Sequence, residues 1–188
     1  LQYSQIEAAK DKGYDVLIMD CPLDAHFVGL LEQKIENSKF VRVDADVIEK
    51  LIVKEELTAV EMTEEEKKHV SDVMKALLPS ENNYLVGMEN LGERAAAITI
   101  SQDEFMLRYR EMAAIGGGMN FYGDRSKSYI ITVNAQNPVI EKIKASEEGF
   151  NENSTLLKQA VDLALLANGM LSGKALSDFI KRSEELLA

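Results

Sequence analysis

Apolar positions change their spacing several times along the chain, and each change marks an element. Ser4–Lys12 has helical composition and runs into Gly13, a residue suited to the left-handed turn after a helix. Tyr14–Met19, YDVLIM, is a nearly continuous apolar run between turn residues. That is the pattern of a short strand buried on both faces. Pro22 opens a second helix, with Leu23, Phe27, Leu30 and Leu31 on one stripe. Phe40–Val43 reads as a second short strand, and the order helix, strand, helix, strand suits a parallel βαβ unit. Two strands do not make a stable sheet, so further strands are expected upstream of Leu1. The charged stretch Asp44–Met62 reads as a connector.

A sharper boundary follows. Thr63 and Glu66 have the spacing of a capping box, and Val70, Val73, Met74, Leu77 and Leu78 make the apolar stripe of the helix they start. Tyr84–Glu89 and Ala95–Ser101 are strand candidates joined by a turn-like NLGER segment. Gln102–Ile115 is helical in pattern and ends at Gly116-Gly117-Gly118. Ser128–Val133, SYIITV, is rich in β-branched residues and reads as a strand. A short helix starts at Pro138. Two more complete the chain, about Ser154–Asn168 with Gly169 as its stop, and about Ala175–Leu187.

Composition narrows the functional classes. The chain has 188 residues, 46% of them hydrophobic, enough to bury a core without cross-links. Lys and Arg number 21 against 32 Asp and Glu, a net charge of −11, and the basic residues do not cluster. Nucleic acid is therefore a poor partner. A single cysteine, Cys21, excludes an internal disulfide and suits a reducing cytoplasm. No apolar run approaches the roughly 20 residues of a membrane helix, so no membrane partner is expected. The chain begins at Leu1 rather than Met, a second sign that it is a piece of a longer protein.

Candidate catalytic groups are sparse. Cys21 and His26 lie close in sequence, but no third group accompanies them, and a cysteine after a buried strand is usually a small hydrophobe. His69 falls on the polar face of a helix, where solvation is the simpler expectation. Asp15, Asp20, Asp44 and Asp46 sit in or near the two N-terminal strands, and strand ends of α/β sheets often carry sites. Gly116–Gly118 lacks the strand before it and the Lys-Ser/Thr after it that a phosphate loop requires. No metal site or cofactor site is expected.

Two segments carry stronger signals. Phe105, Met106, Tyr109 and Met112 fall on or beside one helical stripe, and methionine-rich surfaces suit varied apolar partners. A core-facing helix is the plainer alternative. Further on, Leu156, Ala160, Leu163, Ala164, Leu166 and Ala167 belong to a helix that is apolar on nearly every side, with a narrow polar stripe of Lys158, Gln159 and Asp162. The next helix adds Leu176, Phe179, Ile180, Leu186 and Leu187. A hairpin cannot bury that much apolar surface alone. The remainder packs either on the sheet or on a second copy, two hairpins about a two-fold axis making a four-helix bundle.

Taken in order, several segments resemble the C-terminal region of heat-shock protein 90 chaperones of the bacterial HtpG type. KGYDVLIMDCPLDAHFVGLLEQK resembles the end of that family's middle domain. Tyr84–Glu104 resembles its strand–turn–strand leading to an Asp-Glu helix start, here Asp103-Glu104. YIITVNAQNPVIEKI, with Asn134 and Asn137-Pro138, resembles its strand-Asn-Pro-helix segment. VDLALLANGML and FIKRSEELL resemble its last two helices. The segment Asn90–Arg94 lacks a proline found in many members, and no acidic tail follows Ala188.

The resemblance implies an α+β fold. Residues 1–58 would be an incomplete α/β subdomain of the middle domain. Residues 59–188 would be a C-terminal dimerisation domain with a three-stranded sheet, ending in a helical hairpin that forms a four-helix bundle in the dimer. It implies a homodimerisation and client-contact module of an ATP-dependent chaperone, acting in the cytoplasm on itself and on non-native proteins. The helix of Phe105 corresponds to a proposed client contact in that family. The ATPase site, with ATP and magnesium, would lie upstream, leaving this chain without enzymatic activity. The competing readings are a small α/β enzyme using Cys21 or the strand-end carboxylates, and a plain scaffold domain.

Overall fold

The computed structural model describes residues 3–21, 23–38, 40–45, 60–103, 105, 107–108 and 128–188. The chain divides into two compact units: Lys54–Ile100 with Tyr129–Ala188, and Gln2–Val53 with Ser101–Ser128. Among the described residues there are six helices and one three-stranded sheet, the mixed α+β class expected. None of these helices is long and apolar enough to cross a membrane.

The unit of Gln2–Val53 and Ser101–Ser128 holds α1 (Tyr3–Asp11) and α2 (Asp24–Lys34). Its two expected strands are corrected: neither Tyr14–Met19 nor Phe40–Val43 is in a strand. Strand backbone needs a neighbour to take its N–H and C=O groups. Here Phe40 N–H donates instead to Glu32 Oε1 at 3.1 Å, and its carbonyl accepts from Arg108 Nη2 at 2.9 Å. Both groups are used by side chains, so no ladder is needed. In the other run Leu17 is 61% and Ile18 84% exposed, so the doubly buried pattern is not realised within this chain.

The first helix of the other unit, Lys54–Ile100 with Tyr129–Ala188, is α3 (Glu64–Leu77), and its start is the expected capping box. Glu66 N–H donates to Thr63 Oγ1 at 3.2 Å while Thr63 N–H donates to Glu66 Oε2 at 2.7 Å. Strands β1 (Asn83–Glu89), β2 (Ile98–Ser101) and β3 (Ser128–Asn134) form a sheet in the order β1-β3-β2. Ala135 N–H donates to the Glu89 carbonyl and Asn134 N–H to the Ala97 carbonyl. The end of β3 thus lies beside the end of β1 and the start of β2. Hence β3 runs parallel to β1 and antiparallel to β2.

Helices α4 (Pro138–Ala145), α5 (Thr155–Ala167) and α6 (Gly173–Leu187) follow. Their apolar faces join one core. Val73 and Met74 of α3, Ile131 and Val133 of β3, Ile140 and Ile143 of α4, Leu157, Val161 and Leu165 of α5, and Phe179 of α6 are all buried in it. Ser154 caps α5, its Oγ accepting from Leu157 N–H at 3.3 Å. Gly169 ends α5 at φ +68°, where a side chain would clash with the following carbonyl.

Candidate functional site

The α5–α6 hairpin is arranged against expectation. After Thr155 at its start, α5 has only Lys158, Gln159 and Asp162 as polar residues, and a lone helix of this kind would be expected to show them to water. Two of the three instead meet α6. Asp162 is 4% exposed, and its Oδ2 accepts from Arg182 Nη2 at 2.5 Å. Arg182 Nε donates to Gln159 Oε1 at 2.8 Å, and Gln159 Nε2 donates to Ser183 Oγ at 2.6 Å. Ser183 Oγ donates in turn to the Phe179 carbonyl at 2.8 Å. Lys158 Nζ lies 3.8 Å from the same Asp162 oxygen. The Arg182 guanidinium stands 5.9 Å from the centre of the Phe179 ring. Periodicity had marked the polar stripe but not the side it would face, because Arg182 and Ser183 complement it only once the hairpin is closed.

With Asp162 turned in, leucines turn out. Leu163 is 57% exposed, and Leu166 and Ala167 on the same face are exposed too. On α6, Ile180 is 50% exposed, and Leu186 and Leu187 are also exposed. Leu156 and Leu176 are partly buried. The remaining candidates for the pairing surface, Ala160, Ala164 and Phe179, are buried within this chain's own core. The outer surface of α6 also carries charge. Lys174 donates to Asp178 one turn on at 2.5 Å, and that bond holds the Asp178 carboxyl below the usual carboxylate range.

Of the candidate client face, Phe105 is helical and 58% exposed. Met106, Tyr109 and Met112 lie outside the described residues, as does Gly116–Gly118. The residues between are anchored. Leu107 is buried, and Arg108 Nη1 donates to Glu32 Oε2 at 3.0 Å.

Among the described residues the enzymatic candidates do not converge. Cys21 is exposed, which corrects the expectation of a buried thiol: the run before it is not a buried strand, so nothing carries it inward. His26 is exposed on α2. His69 is not merely solvated, since its Nε2 lies 2.9 Å from the Phe150 carbonyl. Asp15 and Asp20 are exposed, Asp44 pairs with Arg42 at 2.8 Å, and Asp46 is outside the described residues. Among the described residues no three metal-ligating side chains come together.

Asn134, quoted above only for its place in a strand-Asn-Pro segment, has a structural task. It is fully buried at the end of β3. Its Oδ1 accepts from the N–H groups of Leu91 and Gln136 at 3.1 and 3.2 Å, and its Nδ2 donates to the carbonyls of Gly92 and Ala95 at 2.8 and 3.3 Å. Asn137 caps α4 by accepting from Val139 N–H at 2.9 Å and donates to the Ala95 carbonyl at 2.8 Å. The segment joining β1 to β2 is thereby tied to β3.

Comparison with known proteins places this arrangement. The chaperone protein HtpG of Porphyromonas gingivalis is 34% identical over 99% of this chain, and that of Bacteroides thetaiotaomicron 32% over the same share. The HtpG of Treponema denticola is 27% identical. The chain spans about 37% of the length of the first two relatives. The family described as Hsp90 protein matches residues 1–187, so nearly every residue discussed above falls within it, and the chain belongs to the Hsp90 family of chaperones.

Proposed function

We propose that the α5–α6 hairpin is a homodimerisation surface of an ATP-dependent chaperone, and that the helix beginning near Phe105 touches non-native client proteins. One observation carries the first part: α5 buries Asp162 while leaving its neighbour Leu163 largely exposed. Burying an ion pair is at best about neutral in free energy. Leaving a leucine in water forfeits part of the roughly 1.5–3 kcal/mol that full burial contributes. A monomer gains nothing from that combination. A second copy laid against Leu163, Leu166 and Ile180 covers each of them in both chains, as a two-fold axis requires. Two such hairpins make a four-helix bundle.

In this reading the hairpins tether two chains and so raise the effective concentration of whatever else each chain carries. ATP and magnesium chemistry belongs to parts of the longer chaperone that this chain does not contain, and the setting is the cytoplasm. Among the described residues the enzymatic alternative has no cluster of groups to favour it. Sedimentation equilibrium tests the dimer. The chain is expected to associate, and Leu166→Glu to yield monomers, because pairing would desolvate the new carboxylate. A wild-type monomer, or a Leu166→Glu dimer of unchanged affinity, refutes the proposed surface.

A further inference from the structure

Here Leu157, Val161 and Leu165 fill the core, but an α5 that is apolar on nearly every side offers apolar side chains to it in more than one rotation. A turn of about 100° about the axis, one residue's worth, would carry Asp162 to the outward place of Leu163, set Val161 against α6 and turn Leu163 inward, one apolar side chain replacing another. The polar network removes that freedom. Asp162 supplies the carboxylate that meets Arg182 Nη2, and Gln159 receives Arg182 Nε while holding Ser183. In any other rotation the largely buried Arg182 side chain would lose its carboxylate. A buried polar group that selects one register among several apolar ones is a known use of such pairs.

We infer that Asp162 and Arg182 are positioning residues for the dimer surface: their pairing sets the rotation of α5 on α6 that keeps Leu163 and Leu166 outward for a second copy of this chain. The inference rests on the dimer reading above. Its partner is a second copy of this chain, because the rows so fixed, Leu163 and Leu166 on α5 with Ile180 on α6, are the ones the dimer reading pairs about a two-fold axis.

The test uses the whole 188-residue chain. The double variant Asp162→Leu/Arg182→Leu removes both charges and leaves neither unpaired. Fold stability is read in a Leu166→Glu background, where association does not contribute, and dimer affinity in the otherwise native chain. The expected result is a melting midpoint within about 3 °C of the background, with a dimer Kd at least about tenfold weaker than wild type. Unchanged midpoint and unchanged Kd together overturn the inference, since the pair would then be structural only. If the double variant fails to fold, Arg182→Lys decides, keeping the charge but lacking the Nε donor to Gln159. A weakened dimer at unchanged midpoint supports the inference, and an unchanged dimer overturns it. A monomeric wild-type chain overturns both this inference and the dimer reading, whereas a wild-type dimer insensitive to these changes overturns this inference alone.

Discussion

Replacing Asn134 by alanine removes four hydrogen bonds from a fully buried site, and their cost can be worked one by one. Leu91 N–H is buried and loses the acceptor at 3.1 Å, so it carries the full penalty of an unsatisfied donor, about 1–3 kcal/mol. The Gly92 carbonyl loses its donor at 2.8 Å but is partly accessible, which lowers its share to about 1 kcal/mol. Ala95 keeps the bond from Asn137 at 2.8 Å, and exposed Gln136 can turn to water. The expected total is about 2–4 kcal/mol. Urea-dependent hydrogen exchange of β3 amides reads this unit alone, at one fixed protein concentration because association contributes to stability. Asn137→Ala is the control, losing a helix cap worth about 1 kcal/mol and one shared bond. Should Asn134→Ala cost less than Asn137→Ala, a water has replaced the amide and the tie between β3 and the β1–β2 segment is not what holds it.

Phe179→Ala should lower stability by about 3–5 kcal/mol, because this ring is core rather than surface, while Leu166→Glu changes association with little effect on the fold; equal effects in thermal melts would undo the distinction. Thr63 N–H and Oγ1 donate to Glu66 and hold its carboxyl below the usual range. That stabilisation is fully present above the unfolded value of 4.5 and is lost as pH falls through the lower folded value. The stability difference between wild type and Glu66→Gln should accordingly be constant near neutrality and shrink in acid, and a difference independent of pH would contradict the box. Phe105→Ser should weaken binding of an unfolded model protein at unchanged melting temperature, whereas Leu107→Ser should cost about 2–5 kcal/mol; stability loss from Phe105→Ser without loss of binding would return Phe105 to the core.

The parts legible in the sequence are those decided locally. Thr63 and Glu66 are three residues apart, and the box they form needs nothing else. SYIITV ends in four β-branched residues, and β3 sits where that run does. YDVLIM carries an equally clear pattern, but a strand depends on neighbours that the run itself does not contain, and Tyr14–Met19 is not in a strand. Asn134 was visible as a residue and not as a hub, because most of its partners lie some forty positions away. The hairpin was legible as a surplus of apolar surface. Which rows would stay outside depended on Asp162 finding Arg182, a contact across two helices that periodicity does not encode.

The strand order has a consequence for how the molecule is made. β1 and β2 follow one another along the chain and run in opposite directions, yet β3 lies between them. During synthesis both outer strands emerge before the one that separates them, and neither has its native neighbour until residue 134 has been added. Their simplest early pairing, a hairpin with each other, is a non-native register that must open to admit β3. Closure then joins residues 89 and 135, so the sheet is built from distant contacts and pays loop-closure entropy before it gains a core. Until β3 arrives, the growing chain passes through an interval with two unpaired strand edges.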